Sequence, residues 1–97
     1  MNLLIPEVTI EECAEVIQAI AKYQRFGPEC RGYNNKLALA IEIGQLQYMI
    51  HVLTELWGLD EYESEMAHAF NEKEVRLEEY AEHSVCNQNQ PEPNAKS

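Results

Sequence analysis

The sequence is poor in basic residues and in cysteine. Its 97 residues carry 7 Lys and Arg against 17 Asp and Glu, a formal net charge of -10 at pH 7, and the pI is near 4.6. So acidic a chain lacks the basic face that nucleic-acid binding requires, and an anionic membrane surface would repel it. The 3 cysteines include no CxxC pair and cannot all form disulfides. We therefore expect free thiols and a reducing compartment.

Targeting signals are also missing. Residues 1–6 have neither the basic region nor the apolar length of a secretory signal. No stretch approaches the roughly 20 consecutive apolar residues of a transmembrane helix. We therefore expect a cytoplasmic protein that binds no membrane.

What the sequence does contain is helical periodicity. Apolar residues recur three, four and seven positions apart, the pattern of an amphipathic helix. The first predicted helix opens at Thr9, where Glu12 completes a capping-box pattern. It runs to about residue 25 and stops at Gly27 and Pro28.

Two further helices are predicted beyond a loop over residues 26–35, with no strand pairing. Asn34 or Asn35 caps the second helix, which reaches residue 57 and ends with Gly58 as its left-handed cap. The third helix is capped at residue 60 and frays near residue 83. The predicted fold class is therefore all-α.

The predicted architecture is a helical bundle with three main helices per chain. One domain is expected over residues 1–86, followed by a disordered polar tail over residues 87–97. The second helix is apolar on most of its circumference over residues 37–53. Two other helices of so short a chain would cover it poorly. We therefore expect a homo-oligomer that completes the bundle.

Acidic residues on two helices are the main candidates for chemistry. Glu42 is the one formal charge within residues 37–53, and a carboxylate among apolar side chains is costly unless it is paired or metal-bound. Glu11, Glu12 and Glu15 share a face of the first helix and could meet it. Because clustered carboxylates repel one another without a cation, the pattern favours Mg²⁺, with Mn²⁺ as the alternative. Mg²⁺ in proteins commonly takes phosphate oxygens as further ligands, and a magnesium site therefore indicates phosphate-ester or nucleotide chemistry.

Two non-catalytic interpretations stay open at this point. Acids in the first turn of a helix also complement the helix dipole, which would account for Glu11, Glu12 and Glu15. Glu42 could instead form a buried salt bridge. The candidate partners for that bridge are Arg25, Arg31 and Lys36.

Two acidic motifs stand in a fixed order, EExxE at residues 11–15 and, after a gap of 26 residues, ExxQ at residues 42–45. This order resembles the EExxE and ExxD motifs of the MazG-like all-α nucleoside triphosphate pyrophosphohydrolases. The resemblance covers residues 9–83. Further segments look like those of short phage and bacterial members: Arg25-Phe26-Gly27, Asn35, Ile41-Glu42-Ile43-Gly44-Gln45-Leu46 and Lys73-x-x-Arg76-Leu77.

The resemblance implies hydrolysis of a nucleoside triphosphate to the monophosphate and pyrophosphate. Carried over, Glu12, Glu15, Glu42 and Gln45 would hold Mg²⁺, and Glu11 would orient or deprotonate the attacking water. The implied phosphate ligands are Lys73 and Arg76. The family also implies a homodimer or homotetramer, and the short phage members suggest the host cytoplasm as the location.

A cation-rich loop segment adds two substrate-binding candidates, Arg25 and Lys36. Residues 22–36 hold four of the seven Lys and Arg residues. This segment would either close over the phosphates of a substrate or form ion pairs with nearby acids such as Glu29.

Gln45 departs from the family pattern, which has Asp at this position. An amide offers one neutral oxygen where a carboxylate offers anionic ones, so we expect weaker metal binding and slower turnover. Three outcomes stay open: a slow enzyme, a substitute ligand such as Asp60 or Glu63, or nucleotide binding without hydrolysis. A helical interaction module without a ligand is the remaining alternative.

Overall fold

Three long helices make up most of the chain in the computed structural model, which describes residues 4–89, with side chains up to residue 82. This confirms the all-α class. The elements in chain order are α1 (Ile5–Phe26), β1 (Glu29–Cys30), β2 (Tyr33–Asn34), α2 (Asn35–Leu56), a 3-10 turn (Leu59–Tyr62) and α3 (Glu63–Asn89).

Helix α1 begins at Ile5, four residues before the predicted start. Pro6 lies in its first turn, where the missing N–H of proline costs no hydrogen bond. Thr9 is buried inside the helix, and its hydroxyl donates to the backbone oxygen of Ile5 at 2.7 Å. The predicted capping box at Thr9 and Glu12 is therefore wrong. The capping pattern misled because a proline can open a helix without a polar cap.

The loop between α1 and α2 contains a small hairpin that the sequence analysis did not predict. Strands β1 and β2 pair antiparallel, with Cys30 opposite Tyr33. Arg31 and Gly32 form the two-residue turn, and both have positive φ, 52° and 85°. Positive φ at both central positions is the mark of a type I′ turn. The strands have two residues each, which is too short for an alternating pattern to be visible in the sequence.

Two asparagines fix this hairpin to the helices. Asn34 caps α2, as one of the two predicted alternatives, because its side-chain oxygen accepts from the backbone N–H of Leu37 at 2.9 Å. The buried Asn35 donates from its side-chain nitrogen to the backbone oxygen of Gly27 at 3.0 Å. Gly27 itself follows the last residue of α1 with φ 82°, so the predicted stop of the first helix is confirmed.

The end of α2 also lies close to its predicted position, since Trp57 caps the helix and Gly58 follows with φ 65°. Asp60 belongs to the 3-10 turn, so α3 begins at Glu63 and not at Asp60. Helix α3 continues to Asn89, past the predicted fraying point. Of the predicted tail over residues 87–97, positions 90–97 lie outside the described residues.

The chain divides into two compact units, Met1–Glu61 and Tyr62–Ser97. In the first unit, α1 and α2 pack against each other, and the hairpin joins their adjacent ends. In the second unit, every side chain described on α3 is exposed. The single domain predicted over residues 1–86 stays a prediction.

The described part of the chain has no fully buried apolar side chain; its buried residues are Thr9 and Asn35. Helix α2 is apolar enough, with a mean hydropathy of 1.2 over 18 residues, to cross a membrane by length and composition. A helix of this length and hydropathy was not predicted from the sequence. The core helix of a soluble protein can meet the same criterion, so the finding alone assigns α2 to neither environment.

Candidate functional site: a carboxylate pair beside a hairpin cavity

The carboxyl groups of Glu12 on α1 and Glu42 on α2 face each other. Both side chains are half-buried, and the Oε1 atom of each is covered and has no hydrogen-bond partner among the described residues. A buried carboxylate oxygen without a partner is costly, so an arrangement of two in contact calls for a cation or a proton.

The pKa of Glu12 is raised above its ordinary value of 4.5. Desolvation is the largest cause, followed by the negative charges of Glu42 and Glu15, the hydrogen bond that a protonated Glu12 can donate to Glu42, and the charge of Glu11. Two ionised carboxylates can only accept hydrogen bonds, so the bond between Glu12 and Glu42 forms when one of them holds a proton. The site therefore favours positive charge, either a proton or a metal ion.

The position of α1 bears on the helix-dipole interpretation of the acids. Because α1 begins at Ile5, its first turn contains Glu7 and not the predicted acids. Glu11, Glu12 and Glu15 begin six residues into the helix, and the dipole effect falls off within the first turn. Complementing the dipole therefore does not account for their position.

The alternative of a salt bridge to Glu42 is likewise not observed. Ion pairs within residues 4–82 join His51 to Glu55 at 3.5 Å and Arg76 to Glu72 at 3.8 Å. Neither includes Glu42 or a cation of the segment between α1 and α2. Neither acid of the pair therefore forms an ion pair within the described part of the molecule.

The other predicted members of the site are more open. Glu11, Glu15 and Gln45 are exposed. The first two lie close enough to Glu12 for their charges to raise its pKa. Within the described residues, no group of three or more His, Cys, Asp and Glu side chains is gathered as a metal site. The structure thus brings together two of the four predicted metal ligands.

A pair of carboxylates with unpartnered oxygens fits what Mg²⁺ needs from a protein. Mg²⁺ commonly takes one or two carboxylates, keeps several waters and completes its ligands with substrate phosphates. Glu12 and Glu42 would supply the two anionic oxygens. Their donor set contains no sulfur or nitrogen, which suits a hard cation.

An open cavity of about 520 Å³ lies between the end of α1, the hairpin and the start of α2. Its lining combines two cations, two aromatic rings, a thiol and an amide: Lys22, Arg31, Phe26, Tyr33, Cys30 and Asn35. A second cavity of about 170 Å³ shares Lys22, Tyr33 and Asn35 with it and also reaches Glu42. The two cavities therefore adjoin, and they lead from the hairpin to the carboxylate pair.

The predicted substrate-binding cations line neither of these two cavities. The Arg25 guanidinium lies 5.9 Å from the centre of the Phe26 ring, and Lys36 is exposed and lines neither of these cavities. Lys73 and Arg76 are on α3, in the second unit, and stay predicted phosphate ligands on the resemblance alone.

Lys22 and Arg31 were not among the predicted site residues. Lys22 lies on α1 and Arg31 in the turn of the hairpin, and both line one cavity because the hairpin lies beside the end of α1. The Arg31-Gly32 dipeptide is the available sequence signal for that hairpin.

Comparison of the chain with protein-family models, with curated proteins and with solved structures finds no significant match. The relationship to the MazG-like family therefore remains a resemblance of residues and motifs.

Proposed function

We propose that this chain is a Mg²⁺-dependent nucleoside triphosphate pyrophosphohydrolase of the MazG-like kind. The observation that carries the proposal is the contact of Glu12 with Glu42, each with a covered and unpartnered oxygen, from two different helices. A half-buried acid pair that forms no ion pair is unfavourable for stability, and binding of a divalent cation would offset that cost.

In this proposal, Glu12 and Glu42 hold the metal, and Glu15 and Gln45 add outer ligands from the exposed side. Mg²⁺, when bound, would offset the charge of the phosphate oxygens and polarise the reacting phosphoryl group. Glu11 is exposed next to Glu12 in the sequence, where its carboxylate orients a water molecule and accepts its proton.

The reaction that these groups serve is a hydrolysis at the α-phosphorus. The water oxygen bonds to the α-phosphorus, the bond from that phosphorus to the bridging oxygen breaks, and pyrophosphate leaves. The proton of the water passes to the Glu11 carboxylate. Lys22 lines the cavity that reaches Glu42, so its ammonium can offset negative charge on the phosphates.

A homo-oligomer is part of this proposal. No apolar side chain of the described residues is fully buried, and large apolar side chains are exposed on α1, α2 and α3. A folded domain normally buries such residues, and contiguous exposed apolar surface marks an interaction site. A second copy of the chain would cover α2 and complete a four-helix arrangement, as a homodimer or homotetramer.

A second candidate function follows from Gln45. With an amide in place of the family's Asp, the site has one anionic ligand fewer, and the chain would then bind or sequester a nucleotide without cutting it. The two candidates share the metal and the cavity. They differ in whether pyrophosphate is released.

Pyrophosphate release from a panel of ribo- and deoxyribonucleoside triphosphates, with Mg²⁺ or Mn²⁺, separates these candidates. We expect slow, metal-dependent release by the wild-type chain and faster release by Gln45→Asp, which restores an anionic ligand. Glu11→Gln should abolish release while leaving nucleotide binding intact. Binding without release in both the wild type and Gln45→Asp would favour the second candidate. Absence of both binding and release would overturn the proposed function.

A further inference from the structure

We infer that the hairpin cavity is the recognition site for the base and the proximal phosphate of a nucleotide. This inference deepens the proposed function and rests on it for the class of ligand. The cavity lining pairs aromatic rings with cations, the two kinds of group that bind a planar base and an anionic phosphate.

The aromatic lining is available to a ligand. Tyr33 is 75% exposed and Phe26 is 50% exposed, although both line the same cavity. Large exposed rings in a cavity lining leave apolar surface that a flat base can cover by stacking. The Arg25 guanidinium beside the Phe26 ring adds positive charge near this wall.

One cation of the lining, Lys22, connects the hairpin cavity with Glu42. Lys22 lines the hairpin cavity and also the smaller cavity that reaches Glu42. Neither Lys22 nor Arg31 takes part in an ion pair within residues 4–82. A nucleotide whose base lies against Tyr33 would therefore extend its phosphates past Lys22 towards the metal ligands.

Backbone strain at Arg31 gives an independent reason to assign it a role. Its φ of 52° is the one positive value among the non-glycine residues that the structure describes. The first central position of a type I′ turn strongly prefers asparagine, aspartate or glycine. An arginine here adds strain to the turn, and such strain is commonly found at binding sites. What the arginine adds in return is a cationic side chain in the cavity lining.

The test measures calorimetric binding of the five common nucleoside 5′-monophosphates and of ribose 5-phosphate, all without metal. We expect at least one monophosphate to bind more tightly than ribose 5-phosphate, because the base adds stacking. Arg31→Asn should weaken that binding about 10-fold or more, the usual effect of losing a hydrogen bond to a charged group. Tyr33→Leu should weaken it about 10-fold through lost stacking.

Two controls separate binding from folding. Arg31→Asn places the preferred residue before Gly32, so its melting temperature should equal or exceed that of the wild type. Arg31→Lys keeps the positive charge and should retain most of the affinity.

The thiol of Cys30 provides a second readout, since Cys30 lines the cavity and Cys13 is exposed on α1. The tightest-binding monophosphate should slow alkylation of Cys30 and leave that of Cys13 unchanged. Trypsin places the two cysteines in different peptides, so mass spectrometry can follow each one.

The inference is overturned if no monophosphate binds better than ribose 5-phosphate, or if Arg31→Asn and Tyr33→Leu bind as the wild type does. The proposed function fails separately, if monophosphates bind in the cavity and no triphosphate is hydrolysed or bound with Mg²⁺.

Discussion

Glu12 and Glu42 place two carboxyl groups in contact on the inner faces of a helix pair. The Oε1 atom of each carboxyl group is shielded from water and accepts no hydrogen bond from another described residue. In the absence of a metal, a proton held between the two carboxyl groups lowers their electrostatic repulsion most readily. The raised pKa of Glu12 agrees with this in direction. A bound metal ion would therefore compete with this proton for the same two oxygens.

The raised pKa of Glu12 predicts how stability depends on pH without divalent cations. Between the ordinary value of 4.5 and the raised value, the folded chain holds a proton that the unfolded chain has lost. The free energy of unfolding therefore decreases as pH rises through that window. Glu12→Gln should remove this contribution and make the metal-free chain more stable than the wild type at pH 7. Urea unfolding in EDTA between pH 4 and pH 8 measures the difference.

An exposed carboxylate provides the control for this prediction. Glu79→Gln removes the same charge from an exposed side chain of α3, and its stability should follow the wild-type dependence on pH. A Glu12→Gln variant that is less stable than the wild type at pH 7 in EDTA would contradict the account.

At the residue scale, the sequence singled out the two acids that the structure brings together, Glu12 and Glu42, but not the cations that line the adjoining cavities. Glu42 stood out because it is the lone charge in an apolar stretch, a signal that depends on composition alone. Lys22 and Arg31 gave no such signal, because the cavity that they share forms only where the hairpin lies beside the end of α1. Their relation to Glu42 is a property of the fold and not of sequence spacing.

At the scale of elements, helix ends marked by glycine were predicted well and helix starts less well. Gly27 and Gly58 both follow helices with positive φ, a conformation that glycine adopts without strain. The start of α1 was missed because Thr9 has two uses, as a helix cap or as a donor to the preceding turn, and the structure shows the second. The correction matters for function, since it moves the acids of α1 out of the first turn.

The hairpin is an element of the fold that sequence patterns could not predict. Its two-residue strands bury no alternating face, and its turn contains an arginine where asparagine is preferred. The hydrogen bond from Asn35, at the start of α2, to Gly27, at the end of α1, instead closes the loop that contains the hairpin. This contact joins residues eight positions apart, and no local propensity encodes it.

For the whole molecule, the lack of a fully buried apolar side chain within the described residues predicts self-association. We expect a dimer or tetramer by light scattering, with a melting temperature that rises with protein concentration. Tyr48 is 65% exposed on the apolar helix α2. Tyr48→Glu should therefore dissociate the oligomer, because it places a charge in the covered surface.

A charge added elsewhere gives the matched control. Gln24→Glu adds the same charge at an exposed polar position of α1 and should leave the oligomer intact. A wild-type chain that stays monomeric across the concentration range would contradict the proposed assembly.

Calorimetric titration of Mg²⁺ into the wild-type chain and into Glu42→Gln tests the central claim most directly, with Glu79→Gln as the control for lost charge. The account predicts saturable binding to the wild type and to Glu79→Gln, and a loss of about 10-fold or more in affinity for Glu42→Gln, because one of the two anionic ligands is gone. Equal Mg²⁺ affinity in the wild type and in Glu42→Gln would contradict it.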